Sequence, residues 1–178
     1  MSGTDPNNAL KQMTGNFKRK ADEVQLEARA KELNRDPAEI VVVASIIEAE
    51  VNRPDDRAKV ARVIYNRLDS KPSMKLQMDS TVHYAVNSPR SGVTTSDADR
   101  ANPSPYNTYV HEGLPPGPIG APGKSALEAA ANPADGNWKY FVTINMDTGE
   151  TAFADTFDQH QQNVRKFQEW CQANRGKC

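Results

Sequence analysis

Glu48 directly follows the apolar run Val41-Val42-Val43-Ala44-Ser45-Ile46-Ile47, and a carboxyl in that position is expected to be partly desolvated. Burial favours the neutral form of a carboxyl, the form that can donate a proton near neutral pH. Pro37 suits the first turn of a helix with Asp36 as its N-cap. At about 100° per residue, Ile40, Val43, Ala44, Ile47 and Val51 share one arc, and Glu48 falls inside it. Glu50 falls at the margin and reads as a solvated neighbour. Glu48 is therefore the candidate general acid. The same placement also fits a buried glutamate held by an arginine, such as Arg62 or Arg67, as a structural ion pair.

Further along, Leu76-Gln77-Met78-Asp79-Ser80-Thr81-Val82-His83-Tyr84, Tyr106-Asn107-Thr108-Tyr109 and Gly113-Leu114-Pro115-Pro116-Gly117-Pro118-Ile119 bring together amides, hydroxyls, aromatic rings and prolines. Neutral hydrogen-bonding groups beside flat apolar surfaces suit a carbohydrate. Each segment alone reads equally well as a turn.

These groups need a scaffold, and the chain of 178 residues is long enough for one domain with a real core. Lys and Arg number 22 against 23 Asp and Glu, and no basic stripe with interleaved aromatics points to nucleic acid. No stretch approaches the roughly 18 apolar residues of a membrane span. His83, His111 and His160 are too scattered for a metal site, and no cofactor is implied. Cys171 and Cys178 are the only cysteines. They either close a small ring in an oxidising compartment or stay two thiols on a C-terminal tail, 171–178.

Residues 1–16 read as a polar, disordered tail, and the domain proper as 17–170. An amphipathic helix is expected from Phe17 to Leu33, then the Pro37 helix, then a third from Pro54 to about Lys71. Residues 72–124 hold most of the prolines and little regular pattern, and a loop so long is usually functional. Ser125 is expected to cap a helix through Ala131. Trp138–Ile144 and Glu150–Ala154 read as strands joined by the Asn145–Gly149 turn, and Asp158–Gln172 as a closing helix with Val164, Phe167 and Trp170 on one face. The fold class is α+β, mainly helical, with a small β-hairpin near the C-terminus.

Taken in order, Ala44-Ser45-Ile46-Ile47-Glu48-Ala49-Glu50, Val63-Ile64-Tyr65-Asn66-Arg67-Leu68, Leu76–Asp79, Tyr106–Tyr109, Gly113–Ile119 and Pro122-Gly123 resemble the motifs of the endolytic murein transglycosylase family, MltG or YceG-like. The resemblance runs from about residue 17 to His160. It implies a lysozyme-like lytic transglycosylase catalytic domain that cuts peptidoglycan glycan strands between N-acetylmuramic acid and N-acetylglucosamine, leaving a 1,6-anhydro-muramyl end. It also implies that Glu48 is the catalytic acid and that Gln77, Asp79, Thr81, Tyr106, Asn107 and Thr108 belong to the cleft. Leu114, Pro115 and Pro116 would form a wall.

One carboxyl suffices for that chemistry. It protonates the glycosidic oxygen and then recovers a proton from the sugar's own C6 hydroxyl, whereas a hydrolase normally needs two carboxylates. Asp79 would be the second carboxylate of a muramidase; a non-catalytic glycan-binding module is the other alternative. Members of the family usually sit on one membrane helix ahead of a LysM-like subdomain. The resemblance thus implies the catalytic part of a longer protein at the extracytoplasmic face of a bacterial membrane, with peptidoglycan strands and the cell-wall synthesis machinery as partners.

Overall fold

A computed structural model describes residues 5–87 and 95–177. Its order is α1 (Pro6–Glu23), α2 (Leu26–Glu32), α3 (Pro37–Glu50), α4 (Pro54–Leu68), α5 (Asp79–Ala85), α6 (Asp97–Arg100), α7 (Lys124–Ala131), β1 (Tyr140–Asn145), β2 (Glu150–Ala154) and α8 (Phe157–Ala173). The fold is mainly helical, with one two-stranded antiparallel sheet near the C-terminus, as expected.

α3 forms where the sequence places it, because both ends of a capping box are present. Asp36 accepts the Ala38 N–H at 2.7 Å and the Glu39 carboxylate accepts the Asp36 N–H at 3.1 Å, while Pro37 needs no acceptor. Ile40, Val42, Val43, Ala44, Ser45, Ile46 and Ile47 are all buried, so this helix is covered on every side. It packs against α2, α4, α5 and α7 and forms the centre of the core.

Two helices stand where one was expected between Phe17 and Leu33. Gln25 adopts a left-handed conformation, φ 52°, which breaks the chain into α1 and α2. The expected disordered tail is helical from Pro6, because Asp5 accepts the Asn7 N–H at 3.2 Å and proline at the first position starts the turn. Residues 1–4 lie outside the described part. Likewise, Ser125 lies inside α7, and Gly123 occupies its N-cap position.

α4 places the hairpin. Along one side it carries Tyr65, whose hydroxyl donates to the Ala130 carbonyl at 2.8 Å, and Asn66, which donates to the Gly136 and Trp138 carbonyls at 3.1 and 2.8 Å. Arg62 bonds to the Ala134 carbonyl and Arg67 to the Lys139 carbonyl. The connector from α7 to β1 is therefore fastened residue by residue. β1 and β2 pair with Tyr140 opposite Ala154 and Phe141 opposite Phe153, and Gly149 (φ +67°) supplies the turn's left-handed residue. α8 begins at a Thr156–Gln159 capping box and packs on the hairpin with Val164, Phe167 and Trp170 half-buried.

Cys171 is disulfide-bonded, and its expected partner, Cys178, lies outside the described residues. Among the described residues no helix is long and apolar enough to cross a membrane. Because Ile47 is fully enclosed, Ile47→Ala should lower unfolding free energy by roughly 2–5 kcal/mol. Chemical denaturation of the purified protein measures this directly.

Candidate active site

α3 ends on two carboxylates with no basic residue in its last turn, an unfavourable arrangement at the negative end of a helix. Each carboxylate is met by its own donors. Arg57 of α4 bonds to both oxygens of Glu48, Nη2 to Oε1 at 3.2 Å and Nη1 to Oε2 at 3.3 Å, and the Gly123 N–H donates to Oε2 at 3.0 Å. A side chain on residue 123 would have its first carbon 3.2 Å from Glu48 Oε2, so glycine permits the approach. The Glu48 side chain keeps 38% of its exposure. Glu50 turns to the other side, where its Oε1 accepts the Ser80 N–H of α5 at 3.1 Å.

The segment entering α5 is fixed from below by buried hydroxyls. Thr108 accepts the Met78 N–H at 3.0 Å through its side chain and the Gln77 N–H at 3.1 Å through its carbonyl. Thr81 and Thr108 share a hydroxyl contact at 2.8 Å, and Thr81 donates onward to the Met78 carbonyl at 2.6 Å. Gln77 has a left-handed backbone, φ 48°, and an exposed side chain. Asn107 is fully enclosed. Its Nδ2 donates to the Arg100 and Asn102 carbonyls at 3.0 and 2.7 Å, and its Oδ1 accepts the Tyr109 N–H at 2.9 Å.

Asp79, at the first position of α5, is oriented by donors from three segments. Tyr109 Oη donates to Oδ1 at 2.7 Å, Thr95 Oγ1 at 2.8 Å and Arg100 Nη2 at 3.5 Å. The Arg100 guanidinium also lies over the Tyr109 ring at 4.9 Å. Burial, and next its bond to Asp79, push the Tyr109 phenol well above its usual range.

Glu50, Gln77 and Asp79 face a groove of about 610 Å³ whose other residues include Arg67, Arg100, Tyr109, Tyr140, Phe141, Phe157 and His160. Arg67 is only 7% exposed and bonds to the Leu76 and Lys139 carbonyls, so one guanidinium joins the floor of the groove to the start of β1. Burial lowers its pKa, opposed by the neighbouring Tyr140, Tyr109 and Glu50.

The sequence model described as "YceG-like family" matches residues 1–166. The chain belongs to the YceG-like family. It is 40% identical over 128 residues to the endolytic murein transglycosylase of Bacillus subtilis, an alignment covering 72% of this chain and 34% of that protein. It is 32% identical over 129 residues to the endolytic murein transglycosylase of Streptococcus pneumoniae, covering 71% and 23%. A crystal structure of a yceG-like protein from Listeria monocytogenes superposes with a TM-score of 0.78 at 32% identity, covering 91% of this chain and 51% of that one. The chain thus spans about a third or less of the curated relatives it matches.

Within this YceG-like chain the two glutamates of α3 meet different surroundings. Glu48, expected in the cleft, sits in a clamp made by Arg57 and Gly123. The arginine is neither Arg62 nor Arg67, because both of those are spent on backbone carbonyls. Glu50, expected to be a solvated neighbour, lines the groove. α3 is enclosed over most of its length, so its apolar residues do not mark one face, and the helical arc did not foresee that Glu50 lines a groove.

Of the other expected site residues, Gln77 and Asp79 meet in the groove. Thr81, Asn107 and Thr108 lie buried beneath it as supports. The Tyr106 ring lies tilted against Tyr84, centroids 4.7 Å and planes 50° apart, with its hydroxyl near Gly117. Leu114 packs on the core and Pro115 is buried, leaving Pro116 exposed; the loop runs on along α3, where the Ile119 N–H donates to Ser45 at 3.0 Å. That loop does not line the Glu50 groove. Sequence reasoning missed Arg67, Arg100, Tyr140, Phe157 and His160. The signal for Tyr140, Phe157 and His160 was the aromatic content of the hairpin and of the start of α8, and Arg67 stood in the Val63–Leu68 motif.

Two outcomes follow. Removing the Asn107 amide leaves two carbonyls and an N–H unpaired in an enclosed site. Asn107→Ala should therefore destabilise the fold by about 1–3 kcal/mol or more, read from its thermal midpoint. His160 is held below its usual pKa by burial first and by Arg67 second. The unfolded chain then binds the proton more readily. The stability due to neutral His160 is complete above the unfolded value of about 6.5 and is lost as pH falls through the lower folded value. His160→Gln should flatten the pH dependence of stability in that acid window.

Proposed function

We propose that this chain is the catalytic part of a peptidoglycan lytic transglycosylase and that Glu50 is its acid and base. The observation that carries the assignment is the groove itself, where Glu50 stands beside Gln77 and Asp79. Membership of the YceG-like family and relatives named endolytic murein transglycosylase support the reaction class. The substrate on this reading is the glycan strand of peptidoglycan, and the place of action is the bacterial cell envelope outside the cytoplasmic membrane. Cell-wall synthesis proteins are the partners it implies.

In the proposed reaction the Glu50 carboxyl protonates the glycosidic oxygen as the bond from C1 to that oxygen breaks. The C6 hydroxyl of the same muramyl ring then bonds to C1, and its proton returns to Glu50. Water is neither consumed nor released. The Ser80 N–H is one of the groups that hold the Glu50 carboxyl in place, and a carboxyl so held loses little freedom when it meets the substrate. Asp79 has Tyr109, Thr95 and Arg100 all on Oδ1, an arrangement suited to accepting a sugar hydroxyl through Oδ2. Glu48 keeps the structural part: with Arg57 it locks α3 to α4 and to the Gly123 turn.

A second reading has a specific observation in its favour: Glu50 and Asp79 share the groove, as the two carboxylates of a hydrolase would. Mass spectrometry of products from purified glycan strands separates the two. An anhydro end, lighter by one water, supports the transglycosylase; a reducing end supports the muramidase. Glu50→Gln should lower turnover at least ~10²-fold with the fold intact, while Glu48→Gln should chiefly lower thermal stability. Loss of turnover in Glu48→Gln alone, at unchanged stability, would return the acid role to Glu48.

A further inference from the structure

The groove has two unlike walls. One is polar, with Glu50, Gln77, Asp79 and Arg100; the other is aromatic, built by β1 and α8 from Tyr140, Phe157 and His160. Tyr140 is not free to stack on a ligand. His160 lies against it, centroids 5.3 Å apart and planes 22° apart, and the Arg67 guanidinium lies 5.4 Å from its ring. Phe157 is different. It is 55% exposed, yet it is backed by Tyr140 at 5.9 Å and His160 at 6.2 Å.

Its position is also fixed along the chain. Phe157 is the first residue of α8, directly after Thr156, which accepts the Gln159 N–H at 3.3 Å. The Gln159 side chain reaches back to the Thr156 N–H at 3.4 Å and the Asp155 N–H at 3.1 Å. A large apolar ring held partly in water by a capped helix start, on the rim of a groove, has no role in the core: Phe157 is absent from the buried cluster.

We propose that Phe157 is a glycan-stacking residue, which takes the apolar face of an N-acetylhexosamine ring while the opposite wall bonds to its hydroxyl and acetamido groups. A sugar ring has one such pair of surfaces, with axial C–H groups on its face and polar groups at its edge. The two walls match that division, and neither a purely apolar nor a purely ionic ligand would use both. An edge-backed ring loses little freedom on binding, which favours affinity. The inference rests on the glycan reading given above but concerns binding, not cleavage.

The test is a titration of the whole chain, in a Glu50→Gln background to suppress turnover, with a β-1,4-linked N-acetylglucosamine hexamer. Phe157→Ala should weaken binding about tenfold, as expected for loss of one stacked ring, with an unchanged thermal midpoint. Phe157→Trp should keep the affinity and report occupancy by a change in its fluorescence. In the otherwise wild-type enzyme, Phe157→Ala should raise KM on glycan strands while kcat stays within about twofold, the pattern of lost binding common to ground and transition states. Equal hexamer affinity for Phe157→Ala and its parent, or a Phe157→Trp signal that saturating hexamer leaves unmoved, overturns the proposal. If strands are not cleaved at all but Phe157→Ala still loses the hexamer, the stacking site stands and the catalytic reading falls. If cleavage proceeds with KM unaltered by Phe157→Ala, the reverse holds.

Discussion

The last turn of α3 brings two carboxylates out of the helix at the centre of the core, at the end where its own dipole repels them. Everything around the site answers that charge. Arg57 and the Gly123 N–H meet Glu48 on one side, and the Ser80 N–H meets Glu50 on the other. Glu48 thereby ties α3 to Arg57 of α4 and to the Gly123 turn while its side chain stays 38% exposed. Glu50 is delivered to a groove. The same few residues of sequence thus supply a structural ion pair and a candidate catalytic acid.

Around Glu50 the described parts of the stretch from 72 to 124, residues 72–87 and 95–124, form a supported layer. Its enclosed polar groups, Thr81, Asn107 and Thr108, bond to one another and to backbone, so the loop segments carry Gln77 and Asp79 at fixed places. Arg67 ties that layer to the hairpin through the Leu76 and Lys139 carbonyls. A mostly buried guanidinium that bonds to carbonyls joins two segments rigidly, because leaving either acceptor unpaired would be costly. The aromatic wall of β1 and α8 is consequently held against the polar wall of α3 and α5, with little need for large movement to assemble the groove.

The element order was legible in the sequence wherever local chemistry decided it. Asp36-Pro37 and Glu39 announce α3, Pro54 starts α4, and Asn145–Gly149 turns the hairpin, each through bonds within a few residues. Gln77 and Asp79 were identifiable from their motif, and both reach the groove. The break at Gln25 was not legible, since nothing about glutamine favours a left-handed backbone. Nor was the start of α1 at Pro6, because polar turn-forming residues also make good caps.

What the sequence determined by itself was α3, α4, α7, α8, the hairpin and the family motifs, because capping, proline geometry and alternation act over short spans. Which glutamate faces the groove was decided only by tertiary structure. A helix buried on all sides has no apolar face to read, so Glu48 and Glu50 become distinguishable only when Arg57, fixed on α4, and Ser80, fixed on α5, each take one of them. The aromatic wall was decided the same way: Tyr140, Phe157 and His160 come to Asp79 only after the hairpin and α8 fold back across α4.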